Sequence, residues 1–133
     1  MDIKGLTTLP SVHSAKVTID RLEAEVKAKG MMVFARIDHA AGAKTAGMPL
    51  RPTELLVFGN AQAGTPLMQA NQTMGIELPL KALAWEDENQ KVWLSYNEPS
   101  WLADRHALSP QFAEVTQRMS AALAAVSKAA AGT

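Results

Sequence analysis

The chain has 133 residues, with thirteen lysines and arginines against thirteen acidic residues, and it contains no cysteine. Its length is typical of one domain, which we expect to span residues 1–133. The balanced charge argues against binding to nucleic acid or to an anionic membrane through a basic surface. The missing cysteines exclude disulfides, thiol catalysis and cysteine-ligated metal sites.

The sequence shows no targeting or membrane-spanning signal. Residues 1–5 lack the charged region and apolar run of a secretory signal. No stretch approaches the roughly 18 consecutive apolar residues of a membrane span. We therefore expect a cytoplasmic protein that binds neither membrane nor nucleic acid.

The first part of the chain predicts a β-α-β unit. Ile3 to Leu9 is rich in β-forming residues and predicts a strand that ends at Pro10. Ser14 is typical of a helix N-cap, and Gly30 is typical of a helix end. Between them, one apolar stripe is formed by Ala15, Ile19, Leu22 and Val26. Residues 31–38 alternate in polarity and predict the second strand.

The middle of the chain predicts a loop, a strand and a helix. Residues 39–52 contain two glycines and two prolines and predict a loop with at most one helical turn. Residues 54–59 predict a short buried strand. Thr65-Pro66 is typical of a helix start, with threonine as cap and proline at the first helical position, and Gly75 would end this helix.

The last part of the chain predicts a hairpin and a final helix. Residues 80–85 and 91–96 are strand-like and are separated by a polar turn. Residues 99–108 predict a loop or short helix, and Ser109-Pro110 predicts the start of the last helix. The order β-α-β-β-α-β-β-α, with short β-β connections, predicts an α+β domain. Its sheet should be mainly antiparallel, with the helices packed on one face.

Several short motifs follow one another along the chain. They are Phe34 to His39, Leu50 to Thr53, Leu55 to Asn60, Gly64 to Met68, Gly75 to Lys81, Trp85 to Asp87, and Tyr96-Asn97 through Arg105-His106. In this order they resemble the bacterial and archaeal family catalogued as domain of unknown function 302 (DUF302). The resemblance covers roughly residues 14–108, with 109–133 as a C-terminal helix beyond it. It implies a curved sheet and a homodimer, and it implies no established activity, substrate or cofactor.

Two histidines could carry chemistry. Asp38-His39 ends a strand, and His106 follows Arg105 after the hairpin. A carboxylate beside a histidine can orient it as a general acid or base, so His39, His106 and Asp38 are the catalytic candidates. In the alternative interpretation, Asp38 caps the following segment and His39 bonds to the backbone. A metal shared by both histidines with Asp38 or Glu77 matches no ligand motif, so we predict no metal and no cofactor.

Polar residues near strand ends suggest a site for a small anion. The cations Arg36, Arg51 and Lys81 lie beside predicted strands. Asn60, Gly64 and Thr65 precede a predicted helix start, where free backbone N–H groups favour an anion. A pocket would lie near Asp38-His39, and its predicted ligand contacts are Arg51, Asn60, Thr65, Lys81 and Asn97.

Three functions are therefore open. The first is a homodimeric domain that binds a small anionic ligand. The second is a small enzyme with His39 or His106 as general acid or base. The third is a structural or protein-partner module with an apolar patch around Trp85, Trp93 and Trp101.

Overall fold

The computed structural model describes residues 2–132 and is built on one five-stranded sheet. Met1 and Thr133, the ends of the predicted domain, lie outside the described residues. The strands are β1 (Leu6–Ser11), β2 (Met32–Asp38), β3 (Thr53–Gly59), β4 (Leu80–Glu86) and β5 (Val92–Asn97). Their spatial order is β1-β5-β4-β3-β2, and each neighbouring pair is antiparallel. The predicted α+β class is confirmed.

Five α-helices accompany the sheet. They are α1 (Ala15–Ala28), α2 (His39–Thr45), α3 (Ala61–Ala70), α4 (Pro99–Arg105) and α5 (Ala113–Ala131). Short 3-10 turns cover Gln72–Ile76 and Pro110–Phe112. The predicted order of the main elements is confirmed, and α2 and α4 are additional short helices within it. Between residues 2 and 132, none of these helices combines the length and apolar character of a membrane span.

The main core lies between one face of the sheet and the pair α1–α5. The predicted stripe of α1 is confirmed, because Ala15, Ile19, Leu22 and Val26 are all buried. It packs with sheet residues such as Leu56, Phe58 and Leu94 and with residues of α5 such as Leu123 and Val126. A second, smaller core lies where β3 and β5 end and β4 begins, and it contains Leu67, Met74, Leu102 and Met119.

The ends of α1 follow the sequence prediction. The Ser14 side chain accepts a hydrogen bond from the Val17 backbone N–H, with Oγ and N 3.1 Å apart. Gly30 follows the helix with a φ of +80°, a conformation that glycine adopts at little cost.

The predicted start of α3 is wrong. The helix begins at Ala61, and Asn60 is its cap because Asn60 Oδ1 accepts a hydrogen bond of 2.8 Å from the Gln62 N–H. Pro66 therefore lies inside the helix and removes one backbone hydrogen bond. The cap at Asn60 and the alanines at 61 and 63 outweigh that loss. The helix ends at Ala70, and the predicted end at Gly75 falls within the following 3-10 turn.

Both edge strands differ from the prediction. β1 runs from Leu6 to Ser11 rather than from Ile3 to Leu9, and it includes Pro10. Proline is tolerated there because β1 has only one neighbour in the sheet. In β2 the register shifts between Val33 and Ala35, which places Phe34 in a bulge. The bulge interrupts the predicted alternation of residues 31–38.

The face of the sheet opposite α1 and α5 is here called the open face. Strand alternation places on it Leu6, Ile37, Leu55, Leu83, Trp85 and Trp93. Trp85 and Trp93 are cross-strand partners with ring centroids 6.3 Å apart. Ile37 is 41% exposed. The open face is thus an apolar surface that the described residues leave partly exposed.

Candidate functional site

The sheet has two ends, and the candidate residues divide between them. The α2 end carries Asp38, the last residue of β2, and Thr53, the first residue of β3. The α3 end carries Gly59, the last residue of β3, and the strand ends at Leu80 and Asn97. A seven-residue strand separates the two ends by about 20 Å. Residues at one end therefore cannot share a small pocket with residues at the other.

A cavity of about 580 Å³ lies at the α3 end, between α3, α5 and the sheet. Its floor includes the buried side chains of Phe58, Met119 and Leu123. Its rim includes the exposed residues Asn60 and Thr65, two of the predicted ligand contacts. The volume is in the range of small-molecule sites, about 300–1,000 Å³.

The charged residues that line this cavity are Lys29 and Arg118, and no carboxylate lines it. Lys29 follows α1, whereas Arg118 belongs to α5. In the described part of the chain, no carboxylate lies within ion-pair distance of Lys29. Arg118 has a loose ion pair with Glu114, with Nη2 and Oε1 3.7 Å apart and both side chains more than 70% exposed. The cavity therefore combines an apolar floor with a cationic rim.

A hydrogen-bonded cluster also lies at the α3 end, around Glu77. Glu77 Oε2 lies 2.6 Å from His106 Nε2 and 2.5 Å from Arg105 Nη1. The His106 and Glu77 side chains are only 11% and 10% exposed. Burial raises the pKa of Glu77, but hydrogen bonds from His106 and Arg105 outweigh it and the net pKa is lowered.

Both ring nitrogens of His106 are engaged in this cluster. The ionised Glu77 carboxylate can only accept, so His106 Nε2 carries a hydrogen. Thr73 Oγ1 lies 2.7 Å from His106 Nδ1 and 2.8 Å from Asn71 Oδ1. The Thr73 hydroxyl donates to Asn71 Oδ1 and also lies within hydrogen-bond distance of His106 Nδ1. His106 thus links the 3-10 turn after α3 to the end of α4.

At the α2 end, the predicted loop of residues 39–52 contains helix α2 over residues 39–45. Asp38 Oδ1 accepts a hydrogen bond of 2.9 Å from the Ala41 N–H and caps α2. His39 is exposed at the first position of this helix. The Asp38 side chain is therefore used as a cap, as in the alternative interpretation of the sequence.

Arg51 lies beside a wide hollow of about 910 Å³ at the α2 end. Its Nε donates a hydrogen bond of 3.1 Å to the backbone oxygen of Glu86. Asp38, Glu54, Lys16 and Lys44 line the same hollow, so cations and carboxylates are mixed there. The cavity at the α3 end differs, because its only charged lining residues are cations.

Arg36 does not belong to a cationic site. It forms ion pairs with Asp20, Glu23 and Glu54, and Glu54 is 9% exposed. Burial lowers the pKa of Arg36, but hydrogen bonds to Glu54 and Asp20 outweigh it and raise the net pKa. The guanidinium connects α1 to β2 and β3, and its charge is already compensated.

Lys81 and Asn97 lie in a third place, on the open face. The register pairs Lys81 with Val57 and pairs Ala82 with Tyr96, so Lys81 and Asn97 are neighbours on adjacent strands. The predicted ligand contacts are thus separated: Arg51 at the α2 end, Asn60 and Thr65 at the cavity, and Lys81 and Asn97 on the open face. The structure does not bring them into one pocket.

The two catalytic candidates are also far apart. His39 lies at the α2 end, and His106 lies in the Glu77 cluster at the α3 end. Across residues 2–132, no group of three or more histidine, aspartate or glutamate side chains is arranged as metal ligands. Of the residues in the metal hypothesis, only Glu77 and His106 are in contact.

The sequence interpretation did not identify Lys29 and Arg118 as site residues. Lys29 lies at the end of α1, where a cation is already explained by the helix dipole. Arg118 lies between Val115 and Met119 of the apolar stripe of α5. A cation beside an apolar stripe is a weak signal for a ligand site, because long cationic side chains often cover apolar surface.

Comparisons with known proteins place this geometry in context. Residues 7–126 match the family model described as "Domain of unknown function DUF302". This match extends beyond residues 14–108 and includes most of β1 and most of α5, so the C-terminal helix is largely part of the family pattern.

Two relatives are proteins named "Fluoride-specific ion channel FluC 1", from Brucella suis biovar 1 and Brucella abortus biovar 1. Each is 52% identical to this chain over 128 residues, which is 96% of the chain. The chain covers 50% and 47% of these proteins, so it spans about half the length of the curated relatives that it matches.

The fold is shared with a crystal structure of an uncharacterized conserved DUF302 protein from Bacillus stearothermophilus. The TM-score is 0.85 at 21% sequence identity, and the match covers 96% of this chain and 99% of the other. Because the family model matches residues 7–126, most of its length, this chain belongs to the DUF302 family.

Proposed function

We propose that this chain is a ligand-binding domain whose site is the cavity between α3 and α5. The observation that carries the proposal is the lining of this cavity, which combines an apolar floor with two cations and no carboxylate. Small-molecule sites are typically apolar with a few polar or charged groups that orient the ligand. Two cations favour a ligand with an acidic group.

The ion pair at the cavity is weak enough for such a ligand to replace it. Glu114 and Arg118 are both highly exposed, and an exposed pair contributes about 0–1 kcal/mol. A ligand carboxylate at the rim could replace Glu114 as the partner of Arg118 at little cost. Lys29 could approach the same carboxylate from the end of α1.

A thermal-shift panel of octanoate, dodecanoate, benzoate, citrate and phosphate tests the proposal. An acid that binds should stabilise the fold by about 2.7 kcal/mol when its free concentration is 100 times its Kd. Ala122→Phe places a ring in the cavity, whereas Ala121→Phe is the matched control on an exposed position of α5. The stabilisation should be lost in Ala122→Phe and retained in Ala121→Phe. No stabilisation by any acid of the panel would contradict the proposal.

We also propose that two copies of the chain associate through the open face. Leu55, Leu83, Trp85 and Trp93 form an apolar surface that α1 and α5 do not cover, and aromatic residues are enriched at interfaces. Sedimentation of Leu83→Lys should show a loss of dimer. Val17→Lys is the control, because Val17 is 40% exposed on α1, on the other side of the sheet. A wild-type protein that sediments as a monomer at all concentrations contradicts this part.

A second candidate function comes from the names of the relatives. The Brucella proteins are named as fluoride-specific channels, and this chain matches about half of each at 52% identity. Under this candidate, the domain supports fluoride export by a channel. Cells that lack this chain should then grow less well in fluoride and equally well in chloride. Equal growth of both strains in fluoride would argue against this candidate.

The geometry favours binding over the enzyme alternative. A general base needs a ring nitrogen that is free to accept the substrate proton. Both nitrogens of His106 are in hydrogen bonds, and Asp38 caps α2 rather than orienting His39. A purely structural or protein-partner role is the outcome if neither a small acid nor a second copy binds.

A further inference from the structure

Methionines dominate the flexible part of the cavity lining. Met31 directly precedes β2, Met68 belongs to α3 and Met119 belongs to α5, and all three line the same space. Methionine is unbranched and has three rotatable bonds, so a methionine-rich surface adapts to a flexible apolar ligand. The lining therefore suits an alkyl chain better than a rigid ring that needs one fixed shape.

The charges of the rim suit a single negative charge. Lys29, which follows α1, and Arg118 of α5 both line the cavity, so its rim carries cations from two separate parts of the chain. Glu114 lies beside Arg118, and its charge would repel a ligand with several negative charges. Asn60 and Thr65 complete an exposed polar rim above the buried floor.

Resting on the proposed binding function, we infer that the ligand of the α3–α5 cavity is a single-chain fatty acid. Its carboxylate lies between Lys29 and Arg118, and its alkyl chain lies on the floor formed by Phe58, Met119 and Leu123. The apolar floor contributes most of the affinity, and the two cations distinguish an acid from an amine with the same chain.

A chain-length series tests the role of the floor. Octanoate, decanoate and dodecanoate are titrated below their micelle concentrations by isothermal calorimetry. Each buried methylene should increase the affinity about fourfold, which corresponds to about 0.8 kcal/mol. An affinity that does not change with chain length overturns the inference.

A charge-reversed ligand tests the role of the rim. Dodecyltrimethylammonium has the same alkyl chain as dodecanoate and the opposite charge, and it should bind at least about tenfold more weakly. Arg118→Gln and Lys29→Gln should each weaken dodecanoate binding about two- to fivefold, because both cations are exposed, and should leave the dependence on chain length unchanged. Lys128→Gln is the matched control, because Lys128 is an exposed cation of α5 that does not line the cavity. Equal affinity of the wild type for dodecanoate and for dodecyltrimethylammonium overturns the inference.

The location of the bound chain is tested with substitutions on two surfaces. Ala122→Phe should abolish dodecanoate binding, and Ala121→Phe should not. If binding survives Ala122→Phe but is lost in Leu83→Lys, the acid binds the open face and the inference is overturned.

The same variants separate this inference from the proposed function. If benzoate or citrate stabilises the wild type but not Ala122→Phe, while dodecanoate has no effect, the cavity is a binding site and the fatty-acid inference is wrong. If no acid stabilises the wild type, both are wrong.

Discussion

At each end of the sheet, a helix begins directly after a strand and is capped by a short polar side chain. Asp38 caps α2 after β2, and Asn60 caps α3 after β3. The results differ: α2 buries no residue, whereas α3 buries Leu67 in a second core and borders a cavity. The same capping chemistry therefore starts both helices, and packing decides which of them can form a site.

The two ends also differ in how their charged side chains are paired. At the α2 end, Glu54 pairs with Arg36 and Lys16 pairs with Asp20, so compensating partners are close by. Hydrogen bonds from Lys16 and Arg36 lower the pKa of Asp20, which is consistent with an ionised carboxylate there. At the cavity, the two cations face an apolar floor without a carboxylate in the lining. Two cations beside an apolar floor, with no carboxylate in the lining, are the feature that separates the candidate site from the rest.

The largest change in unfolding free energy is expected from a substitution in the second core, and it tests whether the α3 end has its own core. Leu67→Ala removes a fully buried side chain and should destabilise the protein by about 3 kcal/mol in urea unfolding. Leu50→Ala is the control at the α2 end, where Leu50 is 49% exposed, and it should change stability by less than about 0.5 kcal/mol. Similar losses from both variants would remove the distinction between the ends.

The next effect concerns the Glu77 cluster. Glu77→Gln weakens the contacts to His106 and Arg105 and should cost about 2 kcal/mol at neutral pH. Burial raises the pKa of Glu77, but the hydrogen bonds bring the net pKa below its ordinary value of 4.5. The folded protein thus holds this proton more weakly than the unfolded chain does. The stabilisation is complete above the unfolded value and is lost as the pH falls through the lower folded pKa.

Urea unfolding at a series of pH values checks this sign. The difference in stability between wild type and Glu77→Gln should be constant at neutral and weakly acidic pH and should shrink once the pH falls below about 4.5. A difference that stays constant down to strongly acidic pH would show that the Glu77 carboxylate is not the titrating group.

A smaller effect compares the two caps directly. Asn60→Ala and Asp38→Ala each remove one capping hydrogen bond, worth about 1 kcal/mol to its helix. Asn60→Ala should lower the global stability by that amount, because α3 packs in the second core. Asp38→Ala should act mainly on local opening, visible as faster hydrogen exchange in α2. If Asp38→Ala lowered the global stability as much as Asn60→Ala does, α2 would be coupled to the core.

The smallest effect concerns Arg51. Its hydrogen bond to the Glu86 backbone is exposed, so Arg51→Gln should change stability by less than about 0.5 kcal/mol. It should also leave the stabilisation by dodecanoate unchanged. Loss of that stabilisation in Arg51→Gln, and not in Arg118→Gln, would move the ligand site to the α2 end.

Local patterns predicted most of the fold. The stripe of α1 and its ends at Ser14 and Gly30 follow from spacing and capping, which depend on neighbouring residues only. The start of α3 could not be predicted as easily, because Asn60 and Thr65-Pro66 are both acceptable starts. Packing of α3 in the second core favours the longer helix.

The candidate site was less predictable than the fold. Asn60 and Thr65 were predicted as ligand contacts, and both line the cavity, but Arg51 and Lys81 lie elsewhere. All four residues are near strand ends or strands in the sequence, and only the antiparallel order of β2, β3 and β4 assigns them to different ends and faces. Lys29 and Arg118 line one cavity only through tertiary packing, which a local pattern does not contain.

The two edge strands have a consequence for how copies of this chain can meet. Pro10 removes a backbone donor from β1, and the bulge at Phe34 distorts β2. Proline and bulges at edges hinder the addition of a further strand. Edge-to-edge growth into a continuous intermolecular sheet, the route to fibrous aggregates, is therefore disfavoured at both edges. The association that we propose through the open face avoids both edges, so it can stop at a pair of copies.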